Sequence, residues 1–232
     1  DYVLLGRFLG AENLRYYILA YRIHLFPLQN ISAVIGRVMY PVLSSMQDDN
    51  ERLSSAYLKV VGNIALISFP LMAGVLVLAG PFILTFFGEK WQPVVPLVMI
   101  LAPVGLIQSI GTTVGSIYQA KGRTDWMFRW GIGSGTLVVL AFIIGLPWNV
   151  VGVAIAYAIA TLILLYPSFA IPFRLIDLRF NLLLRALARS FLNSSLMLAA
   201  LLAFIYVLPS SVHHVVTLVS SVVLGITVYA AA

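Results

Sequence analysis

The sequence predicts an all-α membrane protein, a bundle of about seven transmembrane helices plus the end of an eighth. Composition is the first reason, since 61% of the residues are hydrophobic, 9% are charged and the mean hydropathy is +1.01. Soluble domains carry about 25% charged residues, so lipid must be the solvent for much of this surface. The second reason is the length of the apolar runs, which suits helices and lacks the alternation of membrane β-strands.

Seven apolar runs can each cross a hydrocarbon core of about 30 Å, which takes about 20 helical residues. The breaks between them are polar or turn-forming, as in QDDNER at 47–52 and KGRTD at 121–125. All four tryptophans lie at run ends, where an aromatic belt forms. We therefore predict one transmembrane bundle over 1–232, in which 2–10 ends an earlier helix and the spans are about 15–46, 57–87, 94–120, 127–147, 150–173, 187–208 and 212–232.

Positive charge alternates between successive connections. Of the 14 Lys and Arg residues, nine fall in alternate connections and three in the opposite ones, while Arg22 and Arg37 lie inside a span. Because cytoplasmic loops of membrane proteins are enriched in Lys and Arg, we predict that 47–58, 121–129 and 174–189 face the cytoplasm.

The sequence argues against several functions. The net charge of +6 does not indicate nucleic-acid binding, because the basic residues separate apolar runs and form no stripe with exposed aromatics. There is no cysteine, which excludes disulfides and Cys-based metal sites. No HExxH, nucleophile elbow or P-loop occurs, so we predict no catalytic residue, metal or cofactor. The chain starts at Asp1 and ends in an apolar run, so we expect it to be a piece of a longer protein.

The first span contains polar groups that hydrocarbon disfavours. At about 100° per residue, Arg22, Gln29, Asn30 and Arg37 fall on one stripe about 100° wide, whereas His24 points away from it. Polar residues in this position usually face a water-filled cavity or a partner. The alternatives are that the two arginines snorkel to the interfaces and that the amides pair across helices.

A second polar stripe follows the span 94–120. Two polar faces on apolar helices predict a shared water-filled cavity, although packing alone would also explain the kinks that the many prolines cause. We take the polar members of both stripes as candidate substrate-binding residues: Arg22, Gln29, Asn30, Arg37, Gln108, Thr112, Ser116 and Gln119.

Three segments resemble a known family. These are DYVLLGRFLGAENLRYYILAYRIHLFPLQNISAVIGRVMYPVLSSMQ at 1–47, GEKWQP at 88–93 and QAKGRTDWMFR at 119–129. They are similar to polysaccharide flippases of the O-antigen and colanic-acid type, in the multidrug/oligosaccharidyl-lipid/polysaccharide exporter superfamily. The resemblance extends to about residue 175. Because such proteins usually have 14 transmembrane helices in two lobes, it implies that this chain is the C-terminal lobe of a two-lobe transporter.

The resemblance also implies a function. It implies transport of an undecaprenyl-diphosphate-linked oligosaccharide across the bacterial cytoplasmic (inner) membrane by alternating access, without ATPase activity, for polysaccharide or lipopolysaccharide biosynthesis. The partners that it implies are this lipid-linked oligosaccharide, the lipid bilayer and the N-terminal lobe of the same chain. In such a transporter, arginine would bind the diphosphate through its planar fork, and Gln and Asn would bind sugar hydroxyls.

Three other functions compete with flipping. A multidrug or cation antiporter of the same superfamily would be expected to have cavity carboxylates, but the acids near the upstream half, Asp1 and Glu12, are not mid-span. A membrane glycan polymerase or ligase typically has a large external loop, and every connection here is short. A structural membrane scaffold would not need polar residues near the midplane.

Overall fold

The computed structural model describes residues 2–208 and 214–232, and it describes their side chains except at 2–5, 9, 27–28 and 32–38. The described residues form helices and turns with no β-strand, which confirms the all-α prediction. In chain order the described α-helices are α1 (Tyr2–Pro27), α2 (Ala33–Ser44), α3 (Asn50–Phe87), α4 (Val95–Gly111), α5 (Val114–Ala120), α6 (Thr124–Gly145), α7 (Asn149–Phe173), α8 (Phe180–Val207) and α9 (His214–Ala231).

Five segments of the described chain are long and apolar enough to cross a membrane. One of them, Thr124–Phe173, contains both α6 and α7, which a 3-10 turn at Leu146–Trp148 joins. A Cβ placed on Gly145 would lie 2.7 Å from the carbonyl oxygen of Gly152, so α7 turns back against α6 at this turn. The other four segments are Asn50–Phe87, Glu89–Ala120, Phe180–Val207 and His214–Ala231. The seven spans with their individual boundaries stay a prediction.

The predicted span 15–46 is not one continuous α-helix. Gly10, which precedes this span, has φ +81°, a backbone conformation that favours glycine, and it divides α1 there. Beyond Pro27, which has no backbone N–H to donate, Leu28–Ser32 forms a π-helical turn before α2 begins. A π-turn winds through fewer degrees per residue than an α-helix. The phase of Arg37 relative to Arg22 therefore differs from that of a straight helix.

Three hydroxyl side chains just after α4 and in α5 donate hydrogen bonds to backbone carbonyl oxygens. Thr112, Thr113 and Ser116 each donate a hydrogen bond to the carbonyl oxygen three residues earlier, at distances of 3.2, 2.6 and 2.6 Å. Such bonds bend helices. The predicted span 94–120 is therefore divided into α4 and α5.

The helices pack around α3, which contacts α4, α8 and α9, while α1 packs against α4 and α7. Three apolar clusters of described residues fill this packing. The first surrounds Tyr57 and Phe169, the second surrounds Tyr17 and Leu97, and a smaller third one surrounds Met197 between α3, α8 and α9. Along α4 the last buried member of the second cluster is Val104 and the first buried member of the first cluster is Ile110. Gln108 and Ser109 therefore lie between the buried residues of the two clusters.

The loops that we predict to be cytoplasmic meet at one end of the bundle. The Lys121 ammonium donates to the Gln47 carbonyl and to Asn50 Oδ1. Asn50 Nδ2 in turn donates to Asp177 Oδ2 at 2.6 Å. These four residues, which we call the loop cluster, come from all three loops. That this end faces the cytoplasm stays a prediction.

Candidate functional site

Residues of the first predicted stripe lie on the surface of the bundle. Arg22, Gln29 and Asn30 are exposed. Arg37 lies in α2, and its side chain is outside the described residues. The described residues contain one ion pair, which joins Arg123 and Asp125. No described carboxylate therefore neutralises the Arg22 guanidinium.

The break at Pro27 uses part of the hydrogen-bonding capacity of Asn30. Its Nδ2 donates to the Phe26 carbonyl at 2.8 Å, one residue before the proline. A side-chain amide has two donor hydrogens and an acceptor oxygen. Asn30 therefore supports the local backbone and keeps one N–H and its oxygen for another group.

The second predicted stripe does not form one face. Gln108 is half-buried and Thr112 exposed, on the last turn of α4 and just after it. Ser116 is 8% exposed and its hydroxyl is bonded to its own helix, while Gln119 is exposed near the far end of α5. The helix break between Gly111 and Val114 separates these two pairs.

Gln108 and Thr112 line a cleft of about 570 Å³ between α4, α6 and α7. Its polar lining also includes Tyr157 and Ser134. None of the three exposed residues of the first stripe is part of this lining, so the cleft does not join the two stripes. Its hydroxyl and amide groups are of the kind that bind sugar hydroxyls or water.

A buried network links three helices beside the cleft. His24 of α1 is 2% exposed, and its Nδ1–H donates to the Leu101 carbonyl of α4 at 3.0 Å. Its Nε2 lies 3.1 Å from Gln108 Oε1, and Gln108 Nε2 donates to the Tyr157 hydroxyl of α7 at 2.5 Å. We call His24, Gln108 and Tyr157 the central polar network. A buried polar group needs such partners, because leaving it unpaired in an apolar environment costs several kcal/mol.

Glycine at position 105 makes room for this network. A Cβ there would lie 2.9 Å from His24 Nδ1 and 2.6 Å from Met72 Cε, closer than non-bonded atoms approach. The imidazole can therefore approach the α4 backbone only because residue 105 has no side chain.

Sequence reasoning placed His24 off the polar stripe and did not identify its partners. The partners lie 77 and 84 residues away in the chain, so periodicity within one helix has no information about them. One signal was available: His24 and Gln108 both interrupt apolar runs, and such groups need each other or water.

A separate apolar groove of about 530 Å³ lies between α3, α8 and α9. It is lined by aliphatic and aromatic side chains, among them Leu71, Phe82, Leu201 and Ile226. Gly225 of α9 packs against Leu201 of α8, and a Cβ there would be in ordinary contact with Leu201 Cδ1 at 3.6 Å.

Sequence comparisons relate the chain to polysaccharide biosynthesis. Residues 1–96 match the profile of a family described as "Polysaccharide biosynthesis protein". The chain is 34% identical over 143 residues to "Lipopolysaccharide biosynthesis protein WzxC" of Escherichia coli, covering 62% of this chain and 29% of that protein. It is 38% identical over 133 residues to "Teichuronic acid biosynthesis protein TuaB" of Bacillus subtilis, covering 57% and 28% respectively. The chain thus spans less than a third of the length of these relatives.

A solved structure shows the same fold. "Lipid II flippase MurJ, inward closed conformation" superposes with a TM-score of 0.72 at 20% identity, covering 94% of this chain and 46% of that one. Nearly all of this chain therefore corresponds in fold to a little under half of a larger helical membrane protein.

Proposed function

We propose that this chain, which belongs to the polysaccharide flippase family, is the C-terminal lobe of a transporter that flips an undecaprenyl-diphosphate-linked oligosaccharide across the bacterial cytoplasmic membrane. The lobe pairs with the N-terminal lobe of the same protein, and alternating access of the space between them moves the substrate. It acts as a transporter in polysaccharide biosynthesis and not as an enzyme.

The observation that supports this proposal most is the uncompensated polar surface of the first helix. Arg22, Gln29 and Asn30 are exposed within a largely apolar segment, and no described carboxylate pairs with the arginine. An arginine facing hydrocarbon at mid-membrane costs about 2.5–3.5 kcal/mol on insertion scales. A water-filled space between two lobes removes that cost, and a diphosphate is the ligand that an arginine fork fits.

The remaining candidate residues complete this proposal. Arg37 of α2 joins Arg22 as a second fixed cation for the diphosphate. Gln108 and Thr112 offer hydrogen bonds to sugar hydroxyls from the cleft. Ser116 and Gln119 extend the set along α5, with Gln119 the more accessible of the two. The apolar groove between α3, α8 and α9 has the chemistry that a polyprenyl chain requires.

An arginine-to-lysine exchange tests the proposal. Lysine keeps the charge and snorkels as well as arginine but loses the bidentate fork. In the full-length protein, Arg37→Lys should reduce glycan export at unchanged membrane abundance, and Arg37→Gln should reduce it further. Arg129→Lys, at an exposed arginine of α6 in a predicted loop, is the matched control and should export normally.

Export is measured as surface glycan per transporter molecule, with abundance measured by immunoblotting of membranes. Normal export by both Arg37 variants at normal abundance would make Arg37 an interfacial anchor, and the diphosphate-binding role would be wrong.

A cation antiporter is the second candidate, and the sequence disfavours it. Such a transporter needs a titratable carboxylate in its cavity, but the acids of this chain lie in or next to the connections or at its start. No specific observation favours a glycan polymerase or ligase.

A further inference from the structure

Both ring nitrogens of His24 point at oxygen atoms that can accept a hydrogen bond. The Leu101 carbonyl can only accept, so Nδ1 must bear a hydrogen. Gln108 Oε1 can also only accept, so in this arrangement Nε2 bears a hydrogen as well. A histidine with hydrogens on both nitrogens is an imidazolium cation. The arrangement therefore fits the protonated form of His24.

A second arrangement of the same atoms fits the neutral form. The two ends of the Gln108 amide are nearly equal in size, so a 180° rotation exchanges them without repacking. Gln108 Nε2 would then donate to the bare Nε2 of His24, and the Tyr157 hydroxyl would donate to Gln108 Oε1. Every hydrogen bond of the central polar network is kept in both arrangements, and only its direction is reversed.

Among the described residues, no carboxylate lies beside His24 to hold it in one charge state. Helix α4 has no charged residue, and α7 contributes the Tyr157 phenol. Met72 of α3, which lies beside Gly105, is 13 residues from Lys59, or about 20 Å along a helix. On α1 the nearest groups are Arg22, which is exposed, and the Tyr21 ring, whose centroid is 5.5 Å from that of His24.

From these observations we infer that the central polar network is a proton-binding site. A proton taken up at His24 Nε2 turns the Gln108 amide and releases the Tyr157 hydroxyl hydrogen from Gln108, so that it can donate into the cleft. Loss of the proton reverses both changes. Histidine suits this role because its imidazole can bear a hydrogen on one ring nitrogen or on both.

The network connects proton binding to the cleft. Gln108 and Tyr157 are both part of the cleft lining, whereas His24 is buried behind them. In the protonated state the cleft therefore has one more donor hydrogen than in the neutral state. That this change assists substrate movement rests on the proposed function, but the site itself is a property of these three side chains.

Solid-state NMR of the full-length transporter in nanodiscs, labelled with ¹⁵N-histidine, tests the inference. The resonances missing from the His24→Gln spectrum identify His24, and their ¹⁵N shifts distinguish imidazolium from neutral imidazole. The imidazolium fraction of His24 should be larger at pH 5 than at pH 8. At pH 6.5, Gln108→Glu should raise this fraction, since a carboxylate accepts from Nε2–H and cannot donate. Gln108→Leu, which removes the acceptor, should lower it.

Tyr166→Phe is the control, because this tyrosine is 63% exposed and lies nine residues after Tyr157 on α7, or about 13.5 Å along the helix. It should leave the imidazolium fraction unchanged. A His24 charge state that is constant from pH 5 to pH 8 overturns the inference, and so do Gln108→Glu and Gln108→Leu changes of the same sign. The spectra are recorded without substrate, so a failure of the Arg37 export experiment leaves this result standing.

Discussion

Replacing Gly105 with alanine tests the packing on which the central polar network depends. The new methyl carbon would lie 2.6 Å from Met72 Cε and 2.9 Å from His24 Nδ1. Met72 is 1% exposed, so its side chain has no open space to enter, and the His24 ring is held by two hydrogen bonds. We expect the methyl group to displace the imidazole and break its bond to the Leu101 carbonyl.

The size of the effect follows from these two losses. Overpacking of a full core costs about 1–3 kcal/mol. A lost hydrogen bond costs about 0.5–1.5 kcal/mol more. Since 1 kcal/mol changes the melting temperature of a 150–250-residue domain by about 2–4 °C, Gly105→Ala should lower it by roughly 3–18 °C. The measurement is the apparent melting temperature in detergent, followed by circular dichroism.

Two further variants separate this steric cause from a general effect of alanine. Gly133→Ala on α6 is the control, because a Cβ there meets nothing within 4 Å and the melting temperature should stay equal or rise slightly. Met72→Ala combined with Gly105→Ala should be less unstable than the two single effects added together. A Gly105→Ala protein that melts within about 1 °C of the wild type, or strict additivity in the double variant, would refute the reasoning.

Three other predictions follow from the fold. Gly152→Ala should destabilise the protein more than Gly133→Ala, because the new Cβ would lie 2.6 Å from the Gly145 carbonyl oxygen. That oxygen is a backbone atom with little freedom to move. The melting temperature in the same thermal assay measures the difference. The side chains of Asn50 and Asp177 form a hydrogen bond of 2.6 Å, so cysteines at these two positions should cross-link with a short bifunctional reagent. Each of these cysteines should also react with an impermeant thiol reagent only from the cytoplasmic side. Labelling from outside would reverse the predicted topology. The 232-residue chain alone should not flip a fluorescent lipid-linked oligosaccharide in vesicles, since one lobe forms one wall of the cavity, and flipping at the full-length rate would contradict the two-lobe proposal.

The sequence predicted the fold class because the signals for it are local. A run of about 20 apolar residues must be helical in a bilayer, since only a helix satisfies its own backbone polar groups. The polar breaks at 47–52 and 121–125 likewise coincide with helix ends in the structure. Length, composition and turn residues each depend on neighbours in sequence, which is why they could be interpreted without coordinates.

The candidate site was harder to predict, because its geometry depends on departures from the regular helix. The phase argument for Arg37 assumed a uniform 100° per residue, but a π-turn intervenes at Leu28–Ser32. The stripe through Thr112 and Ser116 likewise assumed one helix, whereas their hydroxyls bond to the backbone and the helix breaks between them. A periodic pattern predicts a face only as far as the helix that bears it continues.

Asn30 shows how a structural and a binding role can be separated in one side chain. Its Nδ2 bond to the Phe26 carbonyl supports the backbone beside Pro27. Asn30→Leu removes that bond and should cost about 0.5–1.5 kcal/mol, seen as a lower melting temperature. The same change removes the N–H and the oxygen that remain available to a sugar. Export per transporter molecule should therefore fall several-fold more than abundance does.

Ser45→Ala is the matched control, because it also removes a side-chain hydrogen bond to a nearby carbonyl on an exposed turn. It should leave export per molecule unchanged. If Asn30→Leu lowers stability and abundance but each remaining molecule exports normally, Asn30 serves only the helix break, and it must be removed from the proposed binding set.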